Sequence, residues 1–233
     1  MHAETLRQLN EARRARRAVI LANALDGGQE HILFEGDRLD ALPEGALDKA
    51  FLSGKSGIVE TNDGGSLFLN VYLPPARIVV IGAVHISQAL AAMAPVAGFD
   101  FEVIDPRTAF ATPERFAGVR LTAEWPEDVL KDRPLDAFTA LVAVTHDPKI
   151  DDYPLISSLK NNCFYVGALG SRKTHAKRVE RLKEAGLPES AIARISAPIG
   201  LDIGASSPAE IAVSILADII QALRKRPIEG KPA

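Results

Sequence analysis

Six consecutive residues, Arg77-Ile78-Val79-Val80-Ile81-Gly82, constrain this chain more than any other segment. The run is β-branched, carries no charge after Arg77 and stops at a glycine. A strand without polar alternation must be covered on both faces, as the central strands of parallel sheets are. The residues that follow alternate between helical and strand-like patterns. Helices are expected over 87–97, 152–161, 171–185 and 207–224. Strands are expected over 99–104, 119–123, 139–144 and 164–168. Strands separated by helices at this spacing make βαβ units. The expected class is therefore α/β, with a Rossmann-like parallel sheet domain.

The closing helix is signalled by Ser207, Pro208 and Glu210. Ser207 is placed to cap it, Pro208 sits where its missing N–H does no harm, and Glu210 completes a capping box. Ile211, Ile215, Ile219 and Ala222 fall on one face and should pack on the sheet.

Leu73-Pro74-Pro75 marks a break, because two prolines in a row neither continue a helix nor enter a central strand. A small α+β domain is expected over 1–75 and the Rossmann-like domain over 76–233. In the first part, Met1 to Arg17 reads as an arginine-rich, solvated opening helix. Ala18–Ala22 and His31–Phe34 flank Asp26-Gly27-Gly28, a hairpin signal. A short helix is expected over 43–53. Gly57–Glu60 and Leu67–Tyr72 flank Asn62-Asp63-Gly64-Gly65, a second hairpin signal. No catalytic grouping is visible in this part.

Composition removes several function classes. The 233 residues carry 27 basic and 30 acidic side chains, a net of −3, which argues against a nucleic-acid binder that works through a basic surface. The one cysteine, Cys163, makes neither an internal disulfide nor a cysteine-rich metal site. That usage fits a reducing compartment, and a cytoplasmic location is expected. The longest apolar stretch, Ala89 to Phe99, is far below the 18 to 20 or so residues that span a membrane. The N-terminus has no apolar core of the secretory kind.

Chemistry-bearing residues collect after strands. Gly82 is followed by Ala83-Val84-His85-Ile86-Ser87, where a dinucleotide-binding fold keeps its glycine-rich turn. Asp105, 23 residues later, ends the second strand, where an acid binds ribose hydroxyls. Only the first of the three glycines is present. A valine at position 84 would obstruct a pyrophosphate, so the turn disfavours NAD(P) and a scaffold without a dinucleotide is the alternative. His85 lies at the same strand end.

Thr145-His146-Asp147, with Asp151 beyond, follows the strongest later strand. Imidazole beside carboxylates can relay a proton or bind a metal. The spacing assigns no metal, and a turn with a helix cap at Asp151 is the plainer reading. Gly170-Ser171-Arg172-Lys173 opens a helix. Cations in a first turn oppose the helix dipole unless an anion is bound there. The alternative is a solvated basic helix, since Lys177, Arg178, Arg181 and Lys183 continue the pattern. Pro198-Ile199-Gly200-Leu201-Asp202-Ile203-Gly204 is a loop whose glycines point to unusual backbone angles or close approach to a ligand. Four such loops at one sheet edge would make one composite cleft.

Taken together, Gly82-Ala83-x-His85, Asp105-Pro106-Arg107 with Phe110, Thr145-His146-Asp147 with Asp151, Tyr165-Val166-Gly167-x-Leu169-Gly170-Ser171-Arg172-Lys173, 198–204 and the 208–215 helix resemble the XdhC/CoxI family of xanthine dehydrogenase accessory factors. The resemblance covers about 77–224. It implies a factor that binds the molybdenum cofactor, a phosphate-bearing pterin, during its sulfuration and delivery to a molybdenum hydroxylase. Such a protein is a carrier rather than a catalyst. The cofactor-binding positions it implies are Gly82, His85, Asp105, Arg107, Thr145, His146, Asp147, Gly170, Ser171, Arg172, Gly200 and Asp202. The implied partners are a cysteine desulfurase and the molybdenum hydroxylase large subunit, with a homodimer as the implied assembly. Two departures stand out. Val84 and Ser87 replace family glycines, and the first domain lacks the family's cysteine-containing segment. The runner-up from another class is an NAD(P)-dependent oxidoreductase or nucleotide-binding protein on the same sheet.

Overall fold

The computed structural model describes residues 2–25 and 27–225. Met1, Asp26 of the first expected turn and residues 226–233 of the expected second domain lie outside them. Two compact units are present, one of the residues up to Pro74 together with those from Arg224 on, the other spanning Pro75–Leu223.

The first unit contains α1 (Ala3–Arg14), β1 (Val19–Ala24), β2 (Glu30–Phe34), α2 (Ala46–Ser53), β3 (Gly57–Glu60) and β4 (Ser66–Tyr72). The strands form an antiparallel sheet of order β2-β1-β4-β3, with Ala22 opposite both His31 and Leu69. The second hairpin closes at Thr61–Gly65, with Gly64 at φ +86° and Thr61 N donating to Gly65 O at 3.0 Å. α1 corrects the solvated reading. Leu9 and Ala12 are buried against Val19, and only the outer face pairs Arg7 with Glu4 and Glu11.

The second unit contains β5 (Arg77–Ile81), α3 (His85–Met93), β6 (Asp100–Ile104), β7 (Arg120–Thr122), α4 (Pro126–Asp132), β8 (Thr139–Ala143), α5 (Pro148–Lys160), β9 (Tyr165–Ala168), α6 (Arg172–Glu184), α7 (Glu189–Ile192), β10 (Ile195–Ser196) and α8 (Pro208–Arg224). All five strand pairings are parallel, in the order β10-β9-β8-β5-β6-β7. This is the expected Rossmann-like α/β sheet. Val80 lies between Val103 and Val142, and β5 sends alternate side chains to opposite faces. Ile78 and Val80 join the core of Leu90, Ile215 and Ile219, beneath α3 and α8. Val79 and Ile81 join Leu130, Leu155 and Leu182, beneath α4, α5 and α6. Each such side chain, fully buried, contributes about 1.5–3 kcal/mol relative to exposure.

The capping box forms as expected: Glu210 N donates to Ser207 Oγ at 3.2 Å, and Ser207 N to Glu210 Oε2 at 2.9 Å. α5 starts a turn earlier than the sequence predicts. Asp147 rather than Asp151 is its cap, accepting from Lys149 N at 2.9 Å, and Pro148 takes the first helical position.

Candidate functional site

The chain order reverses at β5. From it β6 and β7 run one way, and β8, β9 and β10 the other. In open α/β sheets the crevice beyond the carboxyl ends of the strands at such a point is where ligands bind. His85, His146 and Arg172 follow β5, β8 and β9, three consecutive strands, so they share that edge.

The first turn is built from its own side chains. Gly82 has φ +120°, and a Cβ there would lie 2.9 Å from Thr145 Cγ2 and 3.2 Å from Val144 Cγ2. The glycine is therefore required by the close approach of the β8 loop. Ser87, fully buried, donates its hydroxyl to Gly82 O at 2.5 Å. Val84 packs on the apolar layer beneath α3. His85 begins α3 and is exposed.

Asp105 is turned inward. It is fully buried, and its carboxylate accepts from Ala83 N at 2.7 Å, Arg107 N and Nε at 2.9 Å and Arg107 Nη2 at 2.7 Å. Burial works to raise its pKa. The hydrogen bonds from Arg107 and Ala83 overcome this and hold the group below the ordinary carboxylate value. The sequence located the acid correctly but not its direction: it ties the β5 loop to the β6 loop and offers no free oxygen to a ribose. Arg107, one-third exposed, lies over the Phe110 ring at 4.8 Å.

The β8 loop presents Thr145, His146 and Asp147. His146 is exposed and adopts φ +64°. Thr145 Oγ1 accepts from Asp147 N at 3.0 Å and donates to Asp151 Oδ1 at 2.7 Å. Asp151 is 2% exposed, and its Oδ2 has no hydrogen-bond partner among the described residues. Desolvation pushes its pKa up to about 6, against the pull of the Thr145 hydroxyl, Arg178 and the nearby backbone N–H groups of Thr145 and His146.

At the end of β9, Gly170 has φ +140°. Ser171 caps α6, accepting from Thr174 N at 3.2 Å. Arg172 is exposed and stands outside the cavity that opens beside it. That cavity, of about 320 Å³, is lined by His146, Pro148, Asp151, Lys173, Thr174, Lys177, Arg178 and Arg181. Arg181 is held by Asp152 at 2.6 and 3.0 Å. Arg178 is 2% exposed; its Nη2 donates to Leu169 O at 2.9 Å, whereas Nε and Nη1 have no partner among the described residues. The solvated-helix alternative fails at this residue. Arg178 lies four residues before buried Leu182, on the inward stripe of α6, and that spacing is the sequence signal for it.

Gly200 and Asp202 follow β10. Gly200, φ +87°, packs on α8 beside Ser214 and Ile215, and Asp202 is exposed. Contacts therefore link Gly82, Thr145 and Asp151, then Arg178 with Leu169, and separately Asp105 with Arg107, while Asp151 and Arg178 share one cavity. Gly200 belongs to helix packing. No group of three or more His, Cys, Asp or Glu suited to a metal occurs among the described residues, and no helix among them is long and apolar enough to cross a membrane.

Comparison with known proteins follows the same outline. Residues 78–219 match the family described as the XdhC Rossmann domain. The chain is 34% identical to an uncharacterized protein, YqeB, of Escherichia coli over 70% of its own length and 30% of that protein's. It is 35% identical to a Bacillus subtilis protein named as a probable xanthine dehydrogenase component, over 69% and 47%. It is 27% identical to the molybdenum cofactor insertion chaperone PaoD of Escherichia coli, over 64% and 40%. The chain thus spans less than half the length of these relatives. A crystal structure described as a xanthine dehydrogenase from Bacillus halodurans shares the fold, with a TM-score of 0.63 at 24% identity over 98% of this chain and 66% of that one. With that Rossmann domain matched across more than half of its residues, the chain belongs to the XdhC family.

Proposed function

We propose that this protein is an accessory factor that holds the molybdenum cofactor and passes it to a molybdenum hydroxylase of the xanthine dehydrogenase kind. The observation that carries the reading is the cationic cavity at the carboxyl edge. Lys173, Lys177 and Arg178 surround it with one carboxylate, Asp151, an excess of positive charge suited to a phosphate-bearing pterin. The relatives named for xanthine dehydrogenase and for cofactor insertion support the same role. In this reading the cofactor is cargo, and the large subunit of the hydroxylase receives it. Sulfuration takes place while it is held, with a cysteine desulfurase as sulfur donor. The protein works in the cytoplasm, as a homodimer.

The test is retention of ligand on gel filtration, with released molybdenum cofactor and NAD(H) offered separately. The cofactor should co-elute with the protein and NAD(H) should not. Retention of NAD(H) without the pterin would overturn the assignment.

The nucleotide reading draws on the strand order alone. Against it stand Asp105, saturated by Ala83 and Arg107, and the missing glycines. Val84→Gly should therefore raise NAD(H) affinity by less than about threefold, a fraction of the 1.4 kcal/mol that tenfold represents. A calorimetric gain of about tenfold or more would reinstate the nucleotide.

A further inference from the structure

Asp151 and Arg178 line one cavity, carry opposite charges, and are each 2% exposed. Yet no hydrogen bond or ion pair joins them. Asp151 Oδ2, Arg178 Nε and Arg178 Nη1 all lack partners among the described residues. A buried polar atom left unpaired is costly, and more so when charged. Three such atoms around one cavity call for a group between them. That group must accept hydrogen bonds toward Arg178 and share a hydrogen with Asp151.

The surroundings select its charge. Lys173 and Lys177 face the cavity with Thr174, and the first turn of the thirteen-residue α6 adds the positive end of its dipole. We propose that this cavity is a site for a phosphate-class oxyanion bound together with one proton, its oxygens toward Arg178, Lys173 and Lys177 and the proton shared with Asp151. The proton sits either on a ligand oxygen that donates to the carboxylate or on Asp151 itself, and the count is the same. The raised pKa of Asp151, about 6, puts such a proton within reach near neutrality.

The other charged groups nearby are already committed. Arg107 from the β6 loop is engaged by Asp105, Arg181 of α6 by Asp152, and Asp147 caps α5. His175 of α6 has its pKa lowered by burial and by Arg178, so it is neutral at neutral pH. His146 of the β8 loop also lines the cavity and is exposed.

The site rests on the cavity alone and would stand if the client-enzyme reading fell. Its test is calorimetric titration of the full chain with inorganic phosphate and with sulfate. At about pH 7.5 phosphate still carries a hydroxyl and sulfate carries none, so phosphate should bind at least about tenfold tighter. Lowering the pH to about 5.5 should strengthen sulfate binding about tenfold as Asp151 takes up the proton. Asp151→Asn should bring the two anions within about threefold of each other at both pH values. Lys177→Ala, an exposed position that should not affect folding, should weaken both anions about tenfold, whereas Lys160→Ala at the far end of α5 should not. Absence of phosphate binding by the folded chain, or an unchanged anion preference in Asp151→Asn, would overturn the site. Adenosine monophosphate and a phosphorylated pterin then separate the sources. Tighter binding of the pterin supports the cofactor reading; tighter binding of the nucleotide keeps the anion site and removes that reading.

Discussion

Asp151→Asn is expected to stabilise the folded protein at neutral pH by about 3 kcal/mol, close to two pKa units at 1.36 kcal/mol each. The reason is the cost of keeping an ionised carboxylate where Asp151 lies. Its folded pKa is about 6, against an ordinary 3.8, and desolvation is the largest cause. Below the ordinary value both folded and unfolded chains bind the proton, and the group contributes nothing. Between about 4 and about 6 the folded chain keeps a proton that the unfolded chain has lost, so stability falls as pH rises. Above about 6 the whole cost is present. The attraction of Arg178 is already contained in that pKa, so losing it does not reverse the sign. Asparagine can still accept from the Thr145 hydroxyl, which donates to the native carboxylate at 2.7 Å.

The measurement is urea unfolding of both proteins at about pH 4 and about pH 7.5, read as the difference between them. That difference matters because Asp105 acts in the opposite direction. Its pKa is held low, so its contribution is present above the ordinary carboxylate value and is lost as pH falls through the folded one. The variant should gain at the higher pH and gain little at the lower. A loss of equal size at both would make Asp151 an ordinary structural partner. A residue that lowers stability in the free protein and faces a cationic cavity fits a functional constraint, since binding sites commonly trade stability for activity.

The sheet was legible because its determinants are local. The uncharged runs at 78–81 and 139–143 allow little but central strands. Ser171 and the Ser207–Glu210 box signal their helices within one turn of chain. β10 was not legible, since two residues hold no periodicity, and α4 and α7 are too short to show a stripe. α5 begins before its expected start because Asp147-Pro148 has a better order for cap and first helical position than Asp151 and its neighbours.

The site was half legible for a different reason. Strand ends can be read along the chain, and they located Gly82, Thr145 and Gly170. What brings Asp151 and Arg178 to one cavity is the adjacency of β8 and β9, which places α5 beside α6. That adjacency is a property of the assembled sheet. Along the chain Arg178 is therefore one more charge in a basic run, and Arg172 and Lys173, nearest the strand end, stand out in place of Lys177 and Arg178. Asp105 shows the converse case. Its position was legible, but whether it points outward to a ribose or inward to Ala83 N depends on the folded turn.

Gly200→Ala separates the two readings of the loop after β10, and the expected result is a loss of about 3 kcal/mol of stability. Gly200 has φ +87°, where an L-residue costs about 1–2 kcal/mol. The new Cβ would overlap the Ser214 hydroxyl and lie 3.0 Å from Ile215 N, which is backbone of α8 and has little freedom to move. Overpacking of this kind adds about 1–3 kcal/mol. The loop also donates Leu201 N to Ser214 O at 3.3 Å, and Ile215 next to it is fully buried in the sheet-facing core. Displacing α8 at this point would therefore loosen the layer that also contains Ile219. Ser214→Gly in the same chain removes the hydroxyl but leaves the backbone approach and the positive φ, so it should recover only about 1 kcal/mol in a double-mutant cycle. Were Gly200 retained instead for close approach to a ligand, the alanine variant would lose only the about 1–2 kcal/mol of its positive φ and would also lose anion or cofactor binding. A loss confined to that backbone cost, with binding gone, would therefore return Gly200 to the binding site and take it out of the packing of α8.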